Sequence, residues 1–147
     1  MAANFADWVA ICETKARYCR CLDTKDWAGF TDCFTEDVVF VHPPEGNTHS
    51  GREVSIRYIR DHVETSVTTH QVHNPEVSFD GDDAADVIWA LQDRNTWSEE
   101  RRKIMGCRGQ TGYGNYRERY VRCPDGKWRI AHQVLSYLQM DFIPNED

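Results

Sequence analysis

The chain of 147 residues has no apolar run of about 18 residues, no basic block and no CxxC pair. The first absence excludes a transmembrane helix. Lys and Arg number 17 against 24 Asp and Glu, for a net charge of -7, which argues against a nucleic-acid or membrane partner because few cations can replace phosphate counterions. Cysteine spacing typical of zinc sites is missing, so we expect no metal site and six reduced thiols.

The N-terminal residues lack the basic start and apolar stretch of a secretory signal, so we expect a cytoplasmic protein. The length suits one domain, and 40% apolar residues are enough for one core. We therefore expect residues 1–147 to form a single domain.

Helical periodicity dominates the first half of the chain, and alternating β-branched and aromatic residues dominate the second. The predicted helices cover residues 5–22, 26–34 and 52–66, the predicted strands cover 38–41, 68–79, 85–97, 107–122 and 128–140, and 46–51 is predicted to be a loop. This order indicates an α+β fold, in which N-terminal helices pack in a strongly curved, mostly antiparallel sheet. Such a sheet forms a cone-shaped barrel, and its open mouth is a usual place for a small molecule to bind.

An acidic residue continues the apolar face of the second long strand. Val87, Trp89, Leu91 and Asp93 share one face by the period of two. A buried carboxylate is costly unless it finds a partner or a proton, so this position suggests a functional acid. The alternative is that the apolar face ends at Leu91 and that Asp93 meets solvent at the edge of the sheet.

The last strand alternates apolar and polar residues. Its period of two predicts one inward face for Trp128, Ile130, His132, Val134, Ser136, Leu138 and Met140. His132 is then either a hydrogen-bonded core residue or part of a cavity wall.

Two further residues suggest acid–base chemistry. His70 lies in the strand predicted at 68–79, and an imidazole is well suited to act as a general base near neutral pH. Asp23 follows the first predicted helix and could orient that imidazole by accepting its other N–H. It could equally be a capping residue for the helix that begins near Asp26.

Several segments in the right order resemble the SnoaL-like family of the nuclear-transport-factor-2-like (NTF2-like) superfamily. They are residues 17–27 (RYCRCLDTKDW), 34–38 (FTEDV), His70 with Asn74 and Pro75, 89–93 (WALQD), and Tyr116 with 125–129 (DGKWR). Within the superfamily the chain resembles scytalone dehydratase, bile acid 7α-dehydratase and, more distantly, hexachlorocyclohexane dehydrochlorinase. The resemblance implies the same cone-shaped fold.

The resemblance also implies roles for individual residues. It makes Asp23 and His70 an Asp–His dyad, with Tyr18 as a pocket tyrosine and Asp93 as a second acid. At His42 the dehydratases have a tyrosine that polarises a carbonyl or holds a water, and a histidine there could donate a hydrogen bond or titrate.

The leading hypothesis is a dehydratase that needs no metal or organic cofactor and acts on a hydrophobic polycyclic or aromatic substrate, such as a polyketide, steroid or terpenoid. An isomerase or cyclase would use the same residues. A non-catalytic binding or assembly domain is the rival from another class. The predicted cavity wall consists of Trp8, Phe40, Trp89, Tyr116, His132 and Leu138. A homodimer or homotrimer is expected because curved sheets are commonly covered by another copy.

Overall fold

The computed structural model describes residues 5–44 and 46–146. Its helices are α1 (Phe5–Thr24), α2 (Trp27–Thr31), α3 (Arg52–Val63) and α4 (Glu99–Met105). Its strands are β1 (Phe34–His42), β2 (Asn47–Ser50), β3 (Val67–Val72), β4 (Glu76–Phe79), β5 (Ala84–Thr96), β6 (Gly109–Arg122) and β7 (Trp128–Ile143). Helices dominate the first half of the chain and long strands the second, as predicted.

The strands form one seven-stranded sheet in the order β2-β1-β7-β6-β5-β3, with β4 also paired to β5. The β1–β7 pair is parallel and the other pairs are antiparallel. The sheet curls without closing, and α1 contacts its concave side through Tyr18, whose ring packs edge-on against Tyr116 of β6. The α+β prediction is confirmed.

The core lies between α1 and the sheet. Ile11, Tyr18 and Leu22 on one face of α1 are buried against Phe30 and Phe34 and the inner residues of β5 to β7. Burial of each such side chain contributes about 1.5–3 kcal/mol, so this face of the helix is what holds it inside the sheet.

Two irregularities in the β6–β7 ladder change which β7 residues point inward. Register shifts occur between Arg119 and Tyr120 and between Tyr113 and Gly114 on β6, each leaving one extra residue on β7. A bulge of this kind reverses the side-chain alternation beyond it. Gln133 is consequently buried, and Leu138 is 81% exposed. The prediction that one unbroken inward face runs through Trp128, Ile130, His132, Val134 and Leu138 is wrong after Ile130.

Three elements differ from the sequence prediction. The single strand predicted at 68–79 is two strands, β3 and β4. Residues 46–51, predicted as a loop, include β2, which pairs with β1. A helix that was not predicted, α4, precedes the strand predicted at 107–122. Ser98 caps its first turn, and Gly106, with a left-handed backbone conformation, ends it. Within the described ranges, none of the helices is long and apolar enough to cross a membrane.

Candidate active site

A cavity of about 200 Å³ lies where the ends of β5, β6 and β7 meet α3 and α4. Aromatic and apolar side chains share its wall with polar groups, among them Tyr18, His42, His70, Asp93, Tyr116 and Tyr137. A concave site of this composition, apolar with a few converging polar groups, is typical of small-molecule binding.

Asp23 and His70 form a hydrogen-bonded pair at this cavity. Asp23 lies in the last turn of α1, and its Oδ1 is 2.7 Å from Nδ1 of His70 on β3. Its Oδ2 accepts the backbone N–H of His70 at 2.8 Å, and Oδ1 also accepts the Thr68 hydroxyl at 2.9 Å. Lys25 donates in turn to that hydroxyl at 2.9 Å. Because a carboxylate only accepts, Nδ1 of His70 carries a proton, so the neutral form of this ring has its lone pair on Nε2.

The alternative role of Asp23 as a helix cap is wrong. Asp26 caps α2, accepting the Gly29 N–H at 2.9 Å. Asp23 instead uses both oxygens to hold the backbone and the ring of His70, which fixes the imidazole in one orientation and one tautomer.

Asp93 and Tyr137 form a second polar pair on the wall. Asp93 is 1% exposed, and its Oδ2 accepts a short hydrogen bond from the Tyr137 hydroxyl on β7. Its Oδ1 is buried without a hydrogen-bond partner among the described residues. A Cβ on Gly112 would lie 2.4 Å from Cε1 of Tyr137 and 2.8 Å from Oδ1 of Asp93, so only glycine leaves room for this pair. Burial and the Asp93 carboxylate raise the pKa of Tyr137, which keeps its hydroxyl protonated.

A buried polar network runs behind the cavity from α1 to β1. Lys15 is fully buried and lies 2.6 Å from Oε1 of Glu118, above the rings of Tyr18 and Tyr116. Glu118 also accepts from Nε2 of Gln133 at 2.6 Å. Oε1 of Gln133 is 2.8 Å from Nε2 of His42. The network therefore joins a buried ion pair to a histidine on the cavity wall.

Burial sets the charge states of His42 and Tyr18. Burial of the imidazole lowers the pKa of His42 to about 4, although the Gln133 hydrogen bond opposes this. Burial raises the pKa of Tyr18, whose hydroxyl lies 3.4 Å from that of Tyr116 and 3.5 Å from Oε1 of Gln133. Both side chains are therefore neutral near pH 7.

The structure brings most of the predicted catalytic residues together. Tyr18, His42, His70 and Asp93 line the one cavity, and Asp23 bonds to His70 behind its wall. The alternative for Asp93, exposure at the sheet edge, is wrong because the inward parity of β5 continues to this residue without a bulge.

The predicted substrate-binding wall is mostly wrong. Tyr116 lines the cavity, whereas the other five lie elsewhere: Trp8, Phe40, Trp89, His132 and Leu138. Phe40 and Trp89 are buried in the core, two and four residues before His42 and Asp93 on the same strands.

Each remaining wall prediction fails for a different structural reason. The first turn of α1 contacts the β6–β7 turn, where Asp7 accepts a hydrogen bond from the Trp128 indole. This turn is at the end of β6 and β7 away from the cavity, and Trp8 is 38% exposed there. The β7 bulges turn His132 and Leu138 away from the cavity.

Several wall residues, and Gln133 in the network behind the wall, were not predicted from the sequence. Gln133 and Tyr137 face inward only because of the β7 bulges. Arg101 and Met105 reach the wall from α4, which lies between the strands predicted at 85–97 and 107–122, where no helix was predicted. The sequence contains both signals for this helix: Ser98 precedes its first turn, which holds Glu99 and Glu100, and Gly106 follows its last residue. Among the described residues, no group of three or more His, Cys, Asp or Glu side chains is arranged to hold a metal ion.

Comparison with known families places this site in a known context. Residues 4–134 match the model of the SnoaL-like domain. The chain belongs to the SnoaL-like family. The resemblance to that family and to the NTF2-like superfamily is therefore confirmed.

Solved structures with this fold include three informative relatives of this SnoaL-like protein. Rv3472, a protein of unknown function from Mycobacterium tuberculosis, is 27% identical, with a TM-score of 0.75 over 90% of this chain and 72% of that chain. A candidate scytalone dehydratase from Novosphingobium aromaticivorans is 19% identical, with a TM-score of 0.82 over 98% and 96% of the two chains. A type 2 hexachlorocyclohexane dehydrochlorinase (LinA) is 14% identical, with a TM-score of 0.82 over 97% and 92%. At such low identities the last two likenesses show the fold alone.

Proposed function

We propose that this SnoaL-like protein is a cofactor-independent lyase that dehydrates a small hydrophobic β-hydroxy ketone. The observation that carries the proposal is the 2.7 Å contact between Oδ1 of Asp23 and Nδ1 of His70. This contact fixes the neutral ring of His70 in the Nδ1–H tautomer, and the ring lines a cavity of mixed polarity, which is the arrangement a general base requires.

The reaction begins with His70. Nε2 takes the proton from the carbon next to the carbonyl, and the electron pair of that C–H bond becomes an enolate. Asp23 stabilises the imidazolium that forms, through the same Nδ1 hydrogen bond. The Tyr18 hydroxyl, which stays protonated because burial raises its pKa, is the proposed donor to the enolate oxygen.

The second step expels the β-hydroxyl group. The enolate electron pair forms the new carbon–carbon double bond as the C–O bond breaks, and the leaving oxygen takes a proton to depart as water. Asp93 in its protonated form is the proposed donor, with the proton on Oδ1, because Oδ1 has no partner among the described residues and Tyr137 binds only Oδ2. The proton on His70 is the alternative source, and a syn elimination needs only that imidazole.

The cavity size narrows the predicted substrate range. Pockets that enclose drug-sized ligands measure about 300–1,000 Å³. At about 200 Å³, this cavity favours substrates with one or two rings over a steroid. Its aromatic lining, from Tyr58 and Trp97 among others, favours a flat or aromatic ring system.

Incubation of the protein with a panel of mono- and bicyclic β-hydroxy ketones, followed by liquid chromatography and mass spectrometry, tests the proposal. We expect the product to have lost the mass of one water, and His70→Gln to abolish this. His132→Gln, on the outer face of β7, is the matched control and keeps activity. A new chromatographic peak with the mass of the substrate would indicate isomerisation or ring closure instead. Binding of a ketone without turnover would favour a non-catalytic domain.

We extend the proposal to the quaternary structure, keeping the expected homodimer or homotrimer. Large apolar side chains of β7 are exposed in the single chain, with Leu138 at 81% and Phe142 at 61%. Contact with a second copy would bury them. Sedimentation velocity separates the two assemblies, and a monomer at micromolar concentration would contradict both.

A further inference from the structure

The orientation of the Gln133 side-chain amide is determined by the ion pair behind it. Glu118 is fully buried, with Oε1 accepting from Lys15 and Gln133 and Oε2 from Tyr120. A carboxylate beside an ammonium group is charged and only accepts hydrogen bonds. The NH₂ group of Gln133 must therefore face Glu118, and its carbonyl oxygen must face the other way.

That carbonyl oxygen determines where His42 carries its proton. Oε1 of Gln133 is 2.8 Å from Nε2 of His42, and an amide oxygen only accepts. Nε2 of His42 therefore holds a proton and donates it to Gln133. The charge of Glu118 thus fixes the orientation of the Gln133 amide, and that orientation fixes the tautomer of His42.

The surroundings of His42 disfavour a second proton on the ring. The imidazole is buried, stacks on Phe40 with centroids 5.2 Å apart, and faces the ring of Tyr58. The cationic Lys15 and the imidazoles of His49 and His62 oppose a positive charge there. The negative charge of Glu118 is already paired with Lys15. His42 is therefore neutral, and Nδ1 has a lone pair and no proton.

We propose that His42 is a hydrogen-bond acceptor that selects substrates bearing a hydroxyl group, and that Gln133, Glu118 and Lys15 are positioning residues that fix its acceptor tautomer. The proposal rests on the proposed function in that it takes the cavity as the substrate site. It replaces the role of donor to a substrate oxygen, one of the roles that the sequence suggests for a histidine at this position. Donation from Nε2 is already committed to Gln133.

The first test needs no ligand. Long-range proton–nitrogen NMR spectra of the ¹⁵N-labelled protein distinguish the two neutral tautomers and the imidazolium of a histidine. We expect His42 as the Nε2–H tautomer at pH 7. Gln133→Leu, which removes the amide but keeps an apolar volume, is expected to give a mixture of tautomers or the Nδ1–H form.

The second test measures binding rather than turnover, so it is independent of the proposed chemistry. Hydroxytetralone and methyltetralone, substituted at the same aromatic position, serve as probes of a size that suits the cavity. One neutral hydrogen bond predicts that wild type prefers the hydroxyl probe by about 3- to 10-fold in Kd. His42→Phe should reduce this preference to near one while binding methyltetralone normally. His73→Phe, at an exposed position, is the matched control and should retain the preference.

An Nδ1–H tautomer or an imidazolium for His42 at pH 7 would overturn the proposal, as would a wild-type protein that does not favour hydroxytetralone. The NMR result for wild type decides the tautomer even if a variant fails to fold. A protein that shows the tautomer and the preference yet dehydrates no β-hydroxy ketone would contradict the proposed function and leave this inference intact.

Discussion

His70 and Asp93 are directly opposed register partners on the antiparallel strands β3 and β5, and both line the same cavity. Opposed residues in such a pair have Cβ atoms about 4.5–5.5 Å apart. The proposed base and the proposed acid are therefore held by one backbone ladder rather than by separate loops. Their relative position depends on the β3–β5 register, which runs without a shift from Val67 to Val72.

Replacement of Asp23 by Asn should make His70 a weaker general base without impairing substrate binding. The Asn side chain carries no negative charge. His70 therefore loses the group that fixes its tautomer and stabilises its imidazolium. We expect kcat to fall by about 10²- to 10⁴-fold with little change in KM. Asp37→Asn, at an exposed position on β1, is the control and should match wild type. Steady-state kinetics with a turned-over substrate checks this, and a wild-type kcat for Asp23→Asn would contradict it.

Replacement of Tyr137 by Phe should leave Asp93 without its donor. The carboxyl group is buried, and the other oxygen already has no partner among the described residues. We expect the variant to lose about 1–3 kcal/mol of unfolding free energy and to lose activity. Urea denaturation and turnover assays measure the two effects, with the exposed Tyr113→Phe as control. Full activity in Tyr137→Phe would show that Asp93 does not need this tyrosine.

The buried pair of Lys15 and Glu118 should be strongly coupled. Lys15→Met leaves a buried carboxylate without its cation, which costs about 3–5 kcal/mol. The double variant Lys15→Met with Glu118→Gln removes both charges and should be more stable than the sum of the single effects predicts. Arg57→Met breaks an exposed ion pair with Glu53 and should cost less than about 1 kcal/mol. Additive effects at Lys15 and Glu118, measured by urea denaturation, would contradict the coupling.

His42 should make stability depend on pH. Its pKa is lowered from 6.5 to about 4 in the folded protein, so between these values the unfolded chain binds a proton that the folded chain does not. Stability from this group is fully present above pH 6.5 and is lost as pH falls towards 4, by about 2–3 kcal/mol.

The measurement is the unfolding free energy in urea at several pH values. His42→Phe should show a shallower fall than wild type over this range, and the surface replacement Tyr113→Phe should follow wild type. Parallel curves for wild type and His42→Phe would mean that the imidazole titrates alike in both states.

Local periodicity predicted β5 well because its pairing with β6 is regular. The inward set Val87, Trp89, Leu91 and Asp93 is buried, as the period of two requires. The same reasoning failed on β7, where the extra residue Ala131 reverses the alternation, so that Tyr137 lines the cavity and Leu138, the second extra residue, does not. Gly114 was a sign of this irregularity, since a Cβ there would lie 2.0 Å from the carbonyl oxygen of Ser136.

The buried polar network could not be predicted from the sequence, for a different reason. Lys15, Glu118 and Gln133 are far apart in sequence, and each alone has the residue type of a surface position. Only the packing of α1 into the curled sheet brings them together. The pairing of Asp23 with His70, 47 residues apart, was one of two alternatives from the residue types, and the family resemblance favoured it over a helix cap.

Proton abstraction by His70 is the central claim, and solvent exchange tests it without requiring dehydration. Bicyclic ketones that lack the β-hydroxyl group are incubated with the protein in D₂O, and mass spectrometry follows deuterium entry next to the carbonyl. We predict exchange with wild type and with His132→Gln, and exchange at the uncatalysed rate with His70→Gln. Undiminished exchange in the His70→Gln variant would contradict the account.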